Sequence, residues 1–204
     1  MRRLVWFLAG AVSLLIAASG AALVYLKTGA NGFSARAQPS VAETIAARIA
    51  RSIALPAEAK EKRNPLADSD EVLAEGLAHW ADHCAACHAN DGSGQATMGR
   101  NMYPPAPDMR LDSTQELTDG ELFYIIQNGI RLTGMPAWGG SGDASHNDQD
   151  SWKLVRFIRH LPKLTFEEKK QMEKLNPKGP DERKEEEEED KFLKGEDGNE
   201  PHHH

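Results

Sequence analysis

Apolar and polar positions along this chain sort into helical patterns, with no run that alternates as a strand would. From Leu4 to Leu26, 23 consecutive residues carry no charge. As a helix at ~1.5 Å per residue this run spans ~34 Å, enough to cross a bilayer. A short helix is expected after Ser40, with Val41, Ile45, Ile49 and Ile53 spaced by four along one narrow stripe. That stripe could lie on the membrane, pack on the neighbouring domain or meet a partner, with packing on the domain the default expectation. From Asp70 to Trp80, Leu73, Leu77 and Trp80 share a face, Asp68 or Ser69 can cap, and Asp70 and Glu71 suit the first turn. Thr118-Asp119-Gly120-Glu121 forms a capping box ahead of Leu122–Gln127, with a stop at Asn128-Gly129. A last helix is expected from near Asp148 or Asp150 to a point before Pro162. The glycine-rich stretch from Trp138 to Asn147 reads as loop. The pattern predicts an all-α fold.

Charge divides the chain. It has 204 residues and a formal net charge of −7. Residues 1–67 hold 9 basic and 3 acidic side chains, whereas residues 68–162 hold 6 and 14. Arg2 and Arg3 precede the apolar run, so the positive-inside rule keeps the N-terminus in the cytoplasm and sends the rest across. A cleaved signal peptide is the alternative, but its apolar region should run only ~7–15 residues up to a small-residue site. Ala35-Arg36-Ala37 lies well beyond the run and Ala17-Ala18-Ser19 lies inside it, so the unbroken length favours an uncleaved anchor. Four segments result: an anchor (or signal peptide) over 1–27, a linker with a short helix over 28–67, a compact domain over 68–162, and a charged tail over 163–204. Glu185 to Asp190 are acidic without a break, and such a block repels itself, so the tail is expected to be largely disordered. His202, His203 and His204 are too few to distinguish a weak metal-binding tract from the remnant of a tag. The acidic domain would steer a protein partner with a basic docking face toward itself, and no nucleic-acid partner is expected.

Candidate chemistry concentrates in Cys84-Ala85-Ala86-Cys87-His88, whose two cysteines are the only ones in the chain. This C-x-x-C-H spacing reads as a site of covalent haem attachment. Thiols one helical turn apart can each add to one vinyl group of a porphyrin, and the imidazole that follows can ligate the iron. A thioredoxin-like dithiol would need a preceding strand, and the segment before Cys84 is helical. Zinc could use the cysteines with His79, His83 or His88, but no second ligand pair follows. For the other face of the iron, Met98, Met102, Met109 and Met135 are available, with Met1 and Met172 outside the domain. Thr133-Gly134-Met135-Pro136 singles out Met135, because Gly134 lets the backbone approach closely and Pro136 stiffens the turn. A thioether is a soft donor that favours ferrous iron. The other three methionines read as core filler.

With the Asp91-Gly92-Ser93-Gly94 turn and Thr133–Trp138 added, residues 68–162 resemble a class I monohaem cytochrome c. Gly76 and Trp80 in the first helix, and Leu154 and Phe157 in the last, match that family's helix-crossing signature. The resemblance implies a small helical domain around one covalently attached haem c. It also implies axial ligands His88 and Met135, and a place on the outer, periplasmic side of a bacterial inner membrane. Where the family often has one proline after the haem turn, this chain has Pro104, Pro105 and Pro107, so the carbonyl that would hold the His88 ring is left open. Trp80, Leu122, Ile126, Leu132, Trp138, Trp152 and Val155 are candidates for the pocket and the packing behind it. No catalytic residues are expected. The function implied is one-electron transfer in a respiratory chain. A fixed cytochrome subunit of an oxidase or dehydrogenase is the first alternative, and a haem-based gas or redox sensor the second.

Overall fold

The computed structural model describes residues 2–29, 33–140 and 148–179, with single positions at 184, 188, 191 and 193. The loop expected after Gly140, the acidic run apart from Glu188, and the terminal histidines lie outside them. The fold is helical, and among the described residues there is no β-strand. In chain order the helices are α1 (Arg2–Thr28), α2 (Val41–Ala54), α3 (Ala57–Glu61), α4 (Asp70–His79), α5 (Ala85–His88) and α6 (Thr97–Arg100). They continue with α7 (Asp112–Gln115), α8 (Asp119–Asn128), α9 (Asp148–His160) and α10 (Phe166–Leu175). Ser69 caps α4 by accepting from the Val72 amide, and Thr118 and Glu121 close both halves of the capping box on α8. α1 is long and apolar enough to cross a membrane, a property that an anchor and a signal sequence share.

The core forms where α4 packs on α9. Trp80, Leu154, Val155, Phe157 and Ile158 are wholly buried there, and each apolar side chain of this kind stabilises the fold by ~1.5–3 kcal/mol. The Trp80 and Phe157 rings meet at 5.6 Å, and Phe123 of α8 stacks on Trp152 of α9 at 4.1 Å. Polar side chains fasten the loops to this frame. Arg159 donates to the carbonyls of Gln115 (2.7 Å) and Leu117 and to Asp119 (2.9 Å). Gln115 in turn donates to Met109 O at 2.7 Å and Ile158 O at 3.0 Å.

Three expectations change. The domain begins earlier than residue 68. Leu55 and Ala59 are buried, Asn64 donates to Trp152 O at 2.9 Å, and Arg156 donates to Leu66 O at 2.7 Å. These long-range side-chain bonds leave no local pattern in the sequence. The stripe on α2 does not pack on the domain, because Val41, Ile45, Ile49 and Ile53 are all exposed. The tail assigned to 163–204 opens with an ordered helix. Thr165 and Glu168 form a capping box on α10, and Met172, expected to lie outside the domain, is fully buried in its core. With its amide oriented so that both atoms find partners, Asn176 donates to Ala81 O at 3.1 Å and pairs with Asn90.

The docking of α10 carries a pH signature. Burial works against ionisation of Glu168, but the Thr165 amide and hydroxyl, with His160 at 2.8 Å, hold its carboxyl below the usual range. A depressed folded-state pKa contributes stability above the ordinary carboxylate range, and that contribution is lost as pH falls through the lowered value. Amide-exchange protection in 166–175 should therefore drop on acidification before that of α8 or α9. Glu168→Gln should flatten this pH dependence.

Candidate cofactor site

α4 does not end at His79. It widens into a π-helical turn over Trp80–Cys84, where the Ala85 amide bonds back to Trp80 O, and then tightens into α5. The wide turn sets Cys84, Cys87 and His88 at the end of one continuous helical rod. Ala89 ends the rod with φ +61°. Trp80 seats this end from behind: its Nε1–H donates to Ala89 O at 3.0 Å and its ring lies 5.7 Å from that of His88. The chain then folds back, with the Gly94 amide donating to His88 O at 2.9 Å.

The proline-rich loop is clamped to this turn. Arg110 pairs with Asp108 at 2.7 and 2.9 Å and with Asp91 at 3.1 Å, while the Met109 amide donates to Gly92 O at 2.8 Å. The Arg110 hydrogen bond is the main cause holding Asp108 below the usual carboxylate range. For Asp91, burial opposes ionisation but the Ser93 and Arg110 contacts outweigh it. Of the three prolines, one acts on His88. It is Pro107, whose carbonyl acts on the ring, while Nδ1 itself is buried and lacks a partner in full hydrogen-bond geometry. Burial lowers the His88 pKa, with the Pro107 carbonyl opposing it. That direction favours the neutral ring that metal ligation needs.

The thiols are equally informative. Burial, with Cys87 alongside, pushes Cys84 up to about 12, and burial raises Cys87 too. A redox-active dithiol needs a lowered pKa, so these cysteines do not suit thioredoxin-like exchange. Nor, among the described residues, do three His, Cys, Asp or Glu side chains converge as a metal site. A haem fits this arrangement: two thiols and an imidazole presented from the end of one rod, with the Pro107 carbonyl acting on the buried ring.

Met135 sits on a separate, internally braced loop. Thr133 Oγ1 accepts from the Met135 amide at 3.1 Å and donates to Ile130 O at 2.7 Å, and the Ile130 amide reaches Met135 O at 3.1 Å. The loop returns to α8 through the Trp138 amide, 3.1 Å from Ile126 O. It meets the cysteine-bearing rod where the His83 ring stands edge-on to Trp138 at 5.6 Å. A second link was not legible beforehand: the Met102 thioether fills the space over Gly134 that any side chain there would occupy. Met102 is therefore packing for this loop. Met109 packs on the core, but Met98 is exposed and fills nothing. Leu132, expected near the pocket, is 92% exposed, on a backbone with φ of +62°.

Residues 71–158 match the family model described as cytochrome c oxidase, cbb3-type, subunit III. No curated protein matches the chain.

Proposed function

From the premise that residues 71–158 are a monohaem c-type cytochrome domain, bearing covalently bound haem c and serving electron transfer, we propose a membrane-tethered one-electron carrier. It would work in a bacterial respiratory chain on the periplasmic side. Cys84 and Cys87 would hold the haem through thioethers, and His88 and Met135 would ligate its iron. The haem supplies a reversible one-electron couple. The protein's part is to fix its surroundings. The Pro107 carbonyl acts on the His88 ring, and the adjacent Asp108 is held by Arg110. The Thr133 hydroxyl fixes the Met135 backbone, and Trp80 closes the rear of the pocket. The observation that carries this reading is the C-x-x-C-H rod itself, with Cys84, Cys87 and the buried His88 ring at the end of one continuous helix.

Full-length protein should enter the membrane fraction, resist salt washes and be released by detergent. Redox titration of that material should give a single reversible one-electron wave. A mature N-terminus near Ala18 or Gln38 would show the segment is cleaved, and two waves would contradict the monohaem assignment.

A fixed subunit of a multi-subunit oxidase is the second reading, favoured by the description of the family that residues 71–158 match. Extraction in mild detergent separates the two. A carrier migrates alone, whereas a subunit stays in a stoichiometric complex.

A further inference from the structure

The helix α2 is turned the wrong way for an element that serves only its own domain. An amphipathic helix in a folded domain normally buries its apolar face. Here the polar side is the one tied down. Glu43 accepts from the Tyr103 hydroxyl at 3.2 Å, the half-buried Arg51 lies near Glu121, and Leu55 is buried just past the C-terminus. The opposite face carries Val41, Ile45, Ile49 and Ile53, exposed by 77, 53, 56 and 79%. The helix is well made, with a capping box between Ser40 and Glu43, so the stripe is displayed by a defined element.

Two observations say what covers it. Only residues 29–40 separate the end of α1 at Thr28 from Val41. Even fully extended, that tether reaches ~40 Å, so α2 stays beside any bilayer that α1 crosses. The flanking charge is also positive: with Arg51 turned to the domain, Lys27, Arg36 and Arg48 stand against Glu43 alone between Lys27 and Leu55. An apolar stripe bordered by cations matches the headgroup boundary of an anionic leaflet. We infer that α2 is a second, interfacial membrane contact, lying with its isoleucine stripe in the lipid surface and holding the haem domain at a fixed height and orientation. This rests on the reading of α1 as an uncleaved anchor.

The test uses full-length holoprotein, one copy per nanodisc, in mixed phosphatidylcholine and phosphatidylglycerol. With both native thiols bound to haem, a single introduced cysteine is the sole target for a membrane-impermeant charged maleimide. Ile45→Cys and Ile49→Cys should react at least about tenfold more slowly than Ala47→Cys on the opposite face. Omitting phosphatidylglycerol should narrow that difference. Leu15→Cys, within α1, should be protected throughout, and an unchanged haem spectrum confirms that each variant is folded. If the Ile45 and Ile49 sites react as fast as Ala47 while Leu15 stays protected, the anchor stands and the interfacial contact is wrong. If Leu15 reacts freely, the anchor reading fails and takes this one with it. Protection that appears only in discs holding two copies would assign the stripe to a second chain and overturn the lipid assignment.

Discussion

Met135→Ala is expected to abolish the weak near-infrared sulfur-to-ferric charge-transfer band of the oxidised protein. The same substitution should lower the reduction potential and admit carbon monoxide to the reduced iron. A thioether prefers ferrous iron, so its loss withdraws that preference, within the ~0.8 V range that axial ligation spans in haem proteins. The loop should survive the change, because its bracing is backbone and hydroxyl: Thr133 to Met135 and Ile130, and Trp138 to Ile126. Met98→Ala and Met109→Ala should leave the band intact. Met102→Ala is the demanding control, since its thioether lies against Gly134, one residue from the proposed ligand. It should loosen the loop and keep the band. Loss of the band in Met102→Ala with Met135→Ala unaffected would assign the ligand to Met102. Ready carbon monoxide binding by the unmutated protein would favour a sensor over a carrier.

Gly76→Ala is expected to destabilise the haem domain, although alanine is the better helix former by ~1 kcal/mol. The clash decides the sign. A Cβ at Gly76 would lie 2.5 Å from Lys153 O and 3.1 Å from Phe157 Cβ. The first of these is backbone of the partner helix and cannot swing aside. Overpacking of this kind costs ~1–3 kcal/mol and exceeds the propensity gain. Gly76→Val, bulkier and β-branched, should cost more and threaten a fold whose whole stability is ~5–15 kcal/mol. Thermal unfolding followed at the haem band reads both. Unchanged stability in Gly76→Val would mean that α4 and α9 do not meet as closely as described.

What the sequence made legible was local. The Thr118 capping box, the Ser69 cap and the extent of α9 depend on residues a few positions apart, and each lies where the pattern put it. Gly76 and Phe157 were readable only by resemblance, since their contact crosses 81 residues. Choosing Pro107 among three prolines required knowing which carbonyl approaches the His88 ring, a tertiary fact. Met172 was hidden because α10 is charge-rich, and its neighbours Phe166 and Leu175 stay exposed while it alone is fully buried there. The α2 stripe misled for the opposite reason. Its periodicity was read correctly as a helix, but periodicity does not say what lies against the apolar face.

The central claim is that Cys84 and Cys87 hold one haem covalently beside His88. Mass measurement of the denatured full-length protein, produced with haem-maturation machinery and stripped by acid-acetone, tests it most directly. The account predicts the chain mass plus one haem, with the added mass confined to the peptide containing Cys84 to His88. An unmodified chain with two free thiols, or colourless protein holding stoichiometric zinc, would contradict it.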